Sequence, residues 1–422
     1  MNHILQVIVL ILGFISYQHQ AIAQSELPYN SFFLPLNKHT DAAKPLYSAQ
    51  IMRTNTNYLI DINAPFSWFG CWPTWNMQPG NYCPGICTPA VSCYENICNK
   101  VRISSSSKSP SCPPAQDSDY EGECYCPYNV VDSLDGRCVI SYLSNDTFDV
   151  KTSNGRNPLP PIYSANANVG CVDPSTAFQS YPKDVTGVMA LSTSPYALPA
   201  SLNQPPLNKT LSLCLPSSTA AHGILFYGNG PYYLSDVDVR GLLSYTPLLK
   251  RPDSFGYFIG VNSFVIKKRS VDLPGNTTAK LSTTEPYTTL RTDIYNPMVR
   301  RFSLVTKRIP KANPIAPFSL CYSTSTNGTQ AALKVPDIDI NLQDGKKWTI
   351  STANSIKQIT EDVACLAFVD GGAKSEHAIV IGTHQFEDNF LLFDLENSTF
   401  GFSSSLLRKQ TSCANFDFTM HD

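Results

Sequence analysis

One acid stands out early in the chain. The stretch Tyr58-Leu59-Ile60-Asp61 is apolar up to its last residue; a turn at Asn63-Ala64-Pro65 follows, and then Trp68. A carboxylate at the end of an apolar strand is costly to bury unless it is hydrogen-bonded or has chemical work to do. Asp61 is therefore the first candidate for acid–base chemistry. Other chemistries lack their parts: the chain has no His-Glu-x-x-His, no Gly-x-Ser-x-Gly and no glycine-rich phosphate loop. His39, His222, His377, His384 and His421 are dispersed. His384, in a Gly-Thr-His-Gln turn, reads as a packed or hydrogen-bonded structural residue, because no nucleophile accompanies it.

Cysteine is the other reactive residue type. Of fourteen, nine cluster (Cys71, Cys83, Cys87, Cys93, Cys98, Cys112, Cys124, Cys126 and Cys138), and Cys171, Cys214, Cys321, Cys365 and Cys413 lie beyond. An even count in a secreted chain points to seven disulfides. Cys83, Cys87, Cys93 and Cys98 have the look of a zinc knuckle, but their spacing is irregular and the compartment oxidising, so disulfides are preferred and neither metal nor cofactor is expected. Both group counts are odd, so full pairing requires a bridge out of the cluster. The last three cysteines are odd in number as well, which predicts a bridge between the two halves. Asn145, Asn208, Asn276, Asn327 and Asn397 are sequons, expected to carry surface glycans at several positions.

The frame that positions these residues is read from the rest of the 422-residue chain. Ile4–Ile15 is largely apolar and is followed by Ala21-Ile22-Ala23, which predicts a signal peptide over residues 1–23. The run is shorter than the roughly 20 apolar residues of a membrane span, and no later segment is long enough. A net charge of −2 gives no bulk attraction to nucleic acid or anionic membrane. Short runs rich in Val, Ile, Thr and Tyr, with 32 prolines and little helical periodicity, predict many strands joined by loops. Ser104–Ser111 reads as an exposed loop tip. Strands are expected at Tyr47–Met52, Tyr58–Asp61, Val188–Ala190, Tyr257–Ile266, Ala279–Thr284, Ile338–Leu342 and Ile379–Ile381, and a helix from Thr292-Asp293 toward Thr306. Each half has a strand ending at a site-like loop and a later apolar strand crossing behind it. That order predicts two lobes, 24–235 with a cysteine-rich insertion and 236–422.

Several segments sharpen the reading. Leu213-Cys214-Leu215-Pro216, Phe226-Tyr227-Gly228-Asn229-Gly230, Glu361-Asp362-Val363-Ala364-Cys365 and Ile381-Gly382-Thr383-His384-Gln385-Phe386 come in order. Together they closely resemble the plant pepsin-like proteins that include extracellular dermal glycoprotein, xyloglucan-specific endoglucanase inhibitors, wheat-type xylanase inhibitors and the basic globulins. The resemblance runs from about Ser31 to Phe416. It implies an all-β, bilobal pepsin-like fold with an interlobe cleft and a few short helices. It also implies a site of two acids sharing a proton, one from each lobe, since two carboxylates about 3 Å apart cannot both ionise. By the resemblance, Asp61 is the first acid, with Ile62 and Asn63 where the family pattern has Thr and Gly. In the second half Ser282 stands at the other acid's place and Thr284 at the glycine's. A hydroxyl cannot titrate as that acid. Glu285 lies three residues on, beside Pro286, and Asp293 belongs to the helix start, so neither is expected to replace it. Asp61 is then a retained structural carboxylate.

The resemblance implies a secreted, non-proteolytic protein of the cell wall whose partner is a cell-wall-degrading glycoside hydrolase of endoglucanase type, an enzyme that cuts with paired carboxylates. The endoglucanase-inhibitor branch has an Arg shortly before the last Cys. Without gaps it falls on Lys409, with Arg408 one residue earlier; the two also read as a solvated basic pair. The His used by wheat-type inhibitors near this place is missing. The alternatives are a working secreted aspartic endopeptidase and a storage or peptide-binding globulin. The target enzyme and the oligomeric state stay open.

Overall fold

β-branched and aromatic residues in short runs, bounded by Pro, Gly and Asn, favour extended backbone. The computed structural model assembles these runs into two large sheets; it describes residues 27–420 apart from 42–43, 52–55, 75–85, 109–110, 117–118, 121–122, 203, 206 and 325–332. The signal-peptide segment, Met52, Cys83 and Asn327 lie outside the described residues.

The first sheet has thirteen strands. Its middle is Ser31–His39, Leu46–Gln50, Asn57–Asp61 and Val185–Ala190 in that spatial order. On one side it continues through Gly223–Gly228 and Thr210–Cys214 to Phe390–Asp394, so strands from the end of the chain complete a sheet begun at its start. The second sheet has nine strands built around Ser254–Ile266, Thr278–Leu281 and Ile379–Ile381.

The repeat anticipated between the halves extends to the pairing pattern. Asn57–Asp61 runs parallel to Val185–Ala190, which is antiparallel to Trp68–Gly70, itself parallel to Pro158–Val172. In the second half Thr278–Leu281 runs parallel to Ile379–Ile381, which is antiparallel to Thr288–Leu290, itself parallel to Phe368–Asp370. Val188, Met189 and Ala190 of the first crossing strand and Ile379 and Ile381 of the second are buried. The helix Thr292–Val305 packs Ile294, Met298 and Phe302 inward at helical spacing and carries Asp293 in its first turn.

The architecture is mostly β and pepsin-like. One core runs through both halves, and the Tyr257 hydroxyl of the second donates to the Leu191 carbonyl of the first at 2.8 Å. Trp68 is buried, stacked on Phe178 at 5.3 Å.

The disulfides are Cys71–Cys171, Cys93–Cys124, Cys98–Cys126, Cys112–Cys138, Cys214–Cys413 and Cys321–Cys365; Cys87 is bonded as well. Cys71–Cys171 leaves the cluster, and Cys214–Cys413 ties the last segment of the chain to the first half.

The serine run departs from expectation. Asn96–Lys108 is a helix that takes in Ser104 to Ser107. Serine has modest helix propensity, but Val101 and Ser105 are buried, the Ser105 hydroxyl donates to the Asn129 carbonyl at 2.6 Å, and Cys98–Cys126 pins the first turn.

Candidate functional site

Asp61 ends its strand 4% exposed, and its Oδ1 accepts the N–H of Asn63 at 2.7 Å. Ser282 is equally buried and follows the matching strand of the second half. Its Oγ accepts the N–H groups of Thr284 at 3.3 Å and Glu285 at 3.2 Å, and lies 3.2 Å from the Thr284 hydroxyl. The two side chains thus do the same local job: each takes up N–H donors of its own turn.

The loops are locked to each other. The Thr283 hydroxyl donates to the Ile60 carbonyl at 2.8 Å and accepts the Ile62 N–H at 3.2 Å. Ile62, at the corresponding place in the first loop, has no hydroxyl with which to return the contact. Asn63 does so instead: its Nδ2 donates to the Leu281 carbonyl at 3.0 Å. The amide fits because Gly256 stands beside it; a Cβ there would come within 2.2 Å of Asn63 Oδ1.

Neither substitute acid joins Asp61. Glu285 is exposed and lies 3.9 Å from Lys44. Asp293 is held by Arg291 at 2.7 Å, and that hydrogen bond lowers its pKa. Among the described hydrogen bonds, none links Asp61 to another carboxylate, and among the described residues no group of three His, Cys, Asp or Glu is placed to hold a metal ion. The described helices include none long and apolar enough to cross a membrane.

Behind the second loop sits a buried charge cluster with no counterpart in the sequence reading. The Thr383 and His384 N–H groups donate to the Glu285 and Pro286 carbonyls at 2.8 and 2.9 Å, so the turn that follows Gly382 supports the loop directly. Glu387 Oε1 accepts from Lys38 Nζ at 2.6 Å and from the Tyr47 hydroxyl at 2.7 Å; its Oε2 faces His384 Nδ1 at 3.2 Å. His384 Nε2 faces the Ile356 carbonyl at 3.1 Å. Burial pushes the Glu387 carboxyl up, but the His384 hydrogen bond and the charges of His384, Lys38 and Lys357 outweigh it and bring the pKa to about 2. Burial lowers Lys357 and raises Tyr47. Glu387 is followed by Asp388-Asn389, and such a polar run between apolar ones reads as an exposed turn, so its sequence carried no signal of burial.

The fold and both loops can now be set beside known proteins. Models of the xylanase inhibitor N-terminal and C-terminal regions match residues 49–229 and 256–404. Gamma conglutin 1 of Prunus dulcis is 32% identical over 411 residues, covering 94% of this chain and 92% of that protein. The chain belongs to the xylanase inhibitor family. A second relative of this family member is the probable aspartic proteinase GIP2 of Nicotiana benthamiana, 31% identical with 94% of each chain covered. The crystal structure of EDGP superposes with a TM-score of 0.78 at 26% identity, over 94% of this chain and all of that one.

In this xylanase inhibitor family chain, Arg408 and Lys409 lie on the single 3₁₀ turn Leu406–Lys409. Leu406 is buried and its N–H donates to the Asp388 carbonyl at 2.8 Å, while Cys413 is fixed by its disulfide. The turn therefore projects Leu407, half exposed, and Lys409, exposed, from a rigid base. Arg408 is paired with Asp337 at 2.6 Å. Asn145, Asn208, Asn276 and Asn397 are all exposed.

Proposed function

We propose that this protein is a secreted, non-proteolytic member of the xylanase inhibitor family, with lobes 24–235 and 236–422, that binds and inhibits cell-wall glycoside hydrolases of endoglucanase type. The observation that carries the non-proteolytic reading is Ser282: where a second acid would share a proton with Asp61, a hydroxyl is occupied with the N–H groups of its own turn. The lobes are also cross-linked at that point by Thr283 and Asn63, which suits a rigid binder. Disulfides and exposed sequon asparagines support passage through an oxidising, glycosylating compartment.

The inhibitory contact is assigned to Arg408 and Lys409. Their turn is anchored by Leu406 and Cys413, so little order is lost on binding, and a cation entering a cleft of paired carboxylates gains charge-assisted hydrogen bonds. The aspartic endopeptidase reading is kept because two relatives are named probable aspartic proteinases.

The deciding experiment titrates the purified protein into endoglucanase assays and, in parallel, measures pepstatin-sensitive peptide cleavage at mildly acidic pH. Inhibition without cleavage is expected. Cleavage abolished by Asp61→Asn would overturn the proposal in favour of the peptidase.

A further inference from the structure

A cavity of about 670 Å³ opens between residues 192–200 and 248–257 and is closed on a third side by Lys209, Leu395 and Ser398. It lies beside the Asp61 loop: Gly256 packs on Asn63, and the Ser192 hydroxyl donates to the Ala64 carbonyl at 2.7 Å. Its volume falls within the roughly 300–1,000 Å³ of small-molecule sites.

Two features of the lining describe an occupant. Leu248, Leu249 and Leu395 line the cavity and are only half-buried, which leaves part of their apolar surface open to an occupant. At the mouth stand Lys209, Lys250 and Arg251, and the described lining residues include no carboxylate. Arg251 is paired with Asp253 at 3.1 Å, and Glu396 accepts the backbone N–H of Lys209 at 3.2 Å. Among the described residues no carboxylate pairs with the Lys209 or Lys250 ammonium.

The walls are tied in place. The Thr193 N–H and hydroxyl both donate to the Phe255 carbonyl, at 3.0 and 2.9 Å, the Leu248 N–H to Ser398 at 2.8 Å, and the Leu395 N–H to Lys209 at 2.9 Å. Such a site needs little reorganisation to accept a ligand.

We propose that this cavity binds an amphiphilic monoanion: a small apolar body carrying one acidic group, the body against Leu248, Leu249 and Leu395 and the acid toward Lys209 and Lys250. The cavity needs neither Asp61 nor Arg408, so it is independent of the glycoside-hydrolase reading.

The test uses two fluorescent probes that share an aromatic body, 1-anilinonaphthalene-8-sulfonate and the uncharged N-phenyl-1-naphthylamine. The sulfonate is expected to bind one-to-one and to weaken with added salt. Lys209→Ala with Lys250→Ala should weaken the sulfonate about fivefold and leave the uncharged probe unchanged, as removal of exposed charges predicts. Ala200→Trp, which puts a large ring on the lining, should weaken both probes at least tenfold. Sulfonate affinity unmoved by either variant would overturn the proposal. So would equal losses for both probes in the double lysine variant, since the mouth would then have no preference for charge.

Discussion

The hydroxyl of Thr283 donates to the carbonyl of Ile60 at 2.8 Å, across a sequence gap of 223 residues. The same oxygen accepts the N–H of Ile62, so one side chain of the second half satisfies two backbone groups of the first. Thr283→Val keeps the shape and removes both bonds, leaving a buried carbonyl and a buried N–H unpaired. Urea denaturation should show a loss of about 2–4 kcal/mol. An unchanged unfolding free energy would mean that the lobes are held together elsewhere.

Asp61→Asn is expected to be nearly silent. An amide oxygen at Oδ1 can still accept the Asn63 N–H, so stability should change by no more than about 1 kcal/mol. Inhibition of a target enzyme should persist in the variant. A large loss of either would show that the charge of Asp61, and not only its shape, is in use.

Glu387→Gln leaves Lys38 buried without its counter-charge. Removing one partner of a buried ion pair costs about 3–5 kcal/mol, to be read from denaturant midpoints near neutral pH.

The same carboxylate predicts a pH dependence. Its pKa falls from 4.5 to about 2 on folding. Glu387 therefore adds stability that is fully present above pH 4.5 and lost as pH falls toward 2. The difference corresponds to roughly 3 kcal/mol. In Glu387→Gln that part of the acid slope should vanish, as a denaturation series from pH 6 to 2 would reveal.

Arg408→Ala with Lys409→Ala should weaken binding to a target endoglucanase by about 2 kcal/mol or more. Stability should move by less than about 1 kcal/mol, because the Arg408–Asp337 pair is exposed. Unchanged affinity, measured by calorimetry, would place the contact on another surface.

Much of the frame was legible because strands announce themselves locally. Tyr58–Asp61 and Ile379–Ile381 are apolar runs bounded by turn residues, and their common order in the two halves exposed the repeat. The serine run misled for the opposite reason: what makes Asn96–Lys108 a helix is burial of Val101 and a bridge to Cys126, which composition does not display. Ser282 was located by pattern, but the compensation by Asn63 was hidden. Its partner, Leu281, is distant in sequence, and an asparagine in a turn looks like any other turn residue. Glu387 was missed on the same ground, since Lys38, its ion-pair partner, comes from the far end of the chain.

Thr210–Cys214 is paired on one edge by Gly223–Gly228, but on its other edge it finds its neighbour in Phe390–Asp394. While the protein is being synthesised, the first half therefore waits with an unpaired strand edge until nearly the whole polypeptide has been delivered. A product cut short before that point would lack both this strand and Cys413, so quality control in the cell would meet an open, adhesive sheet rather than a half-sized working lobe.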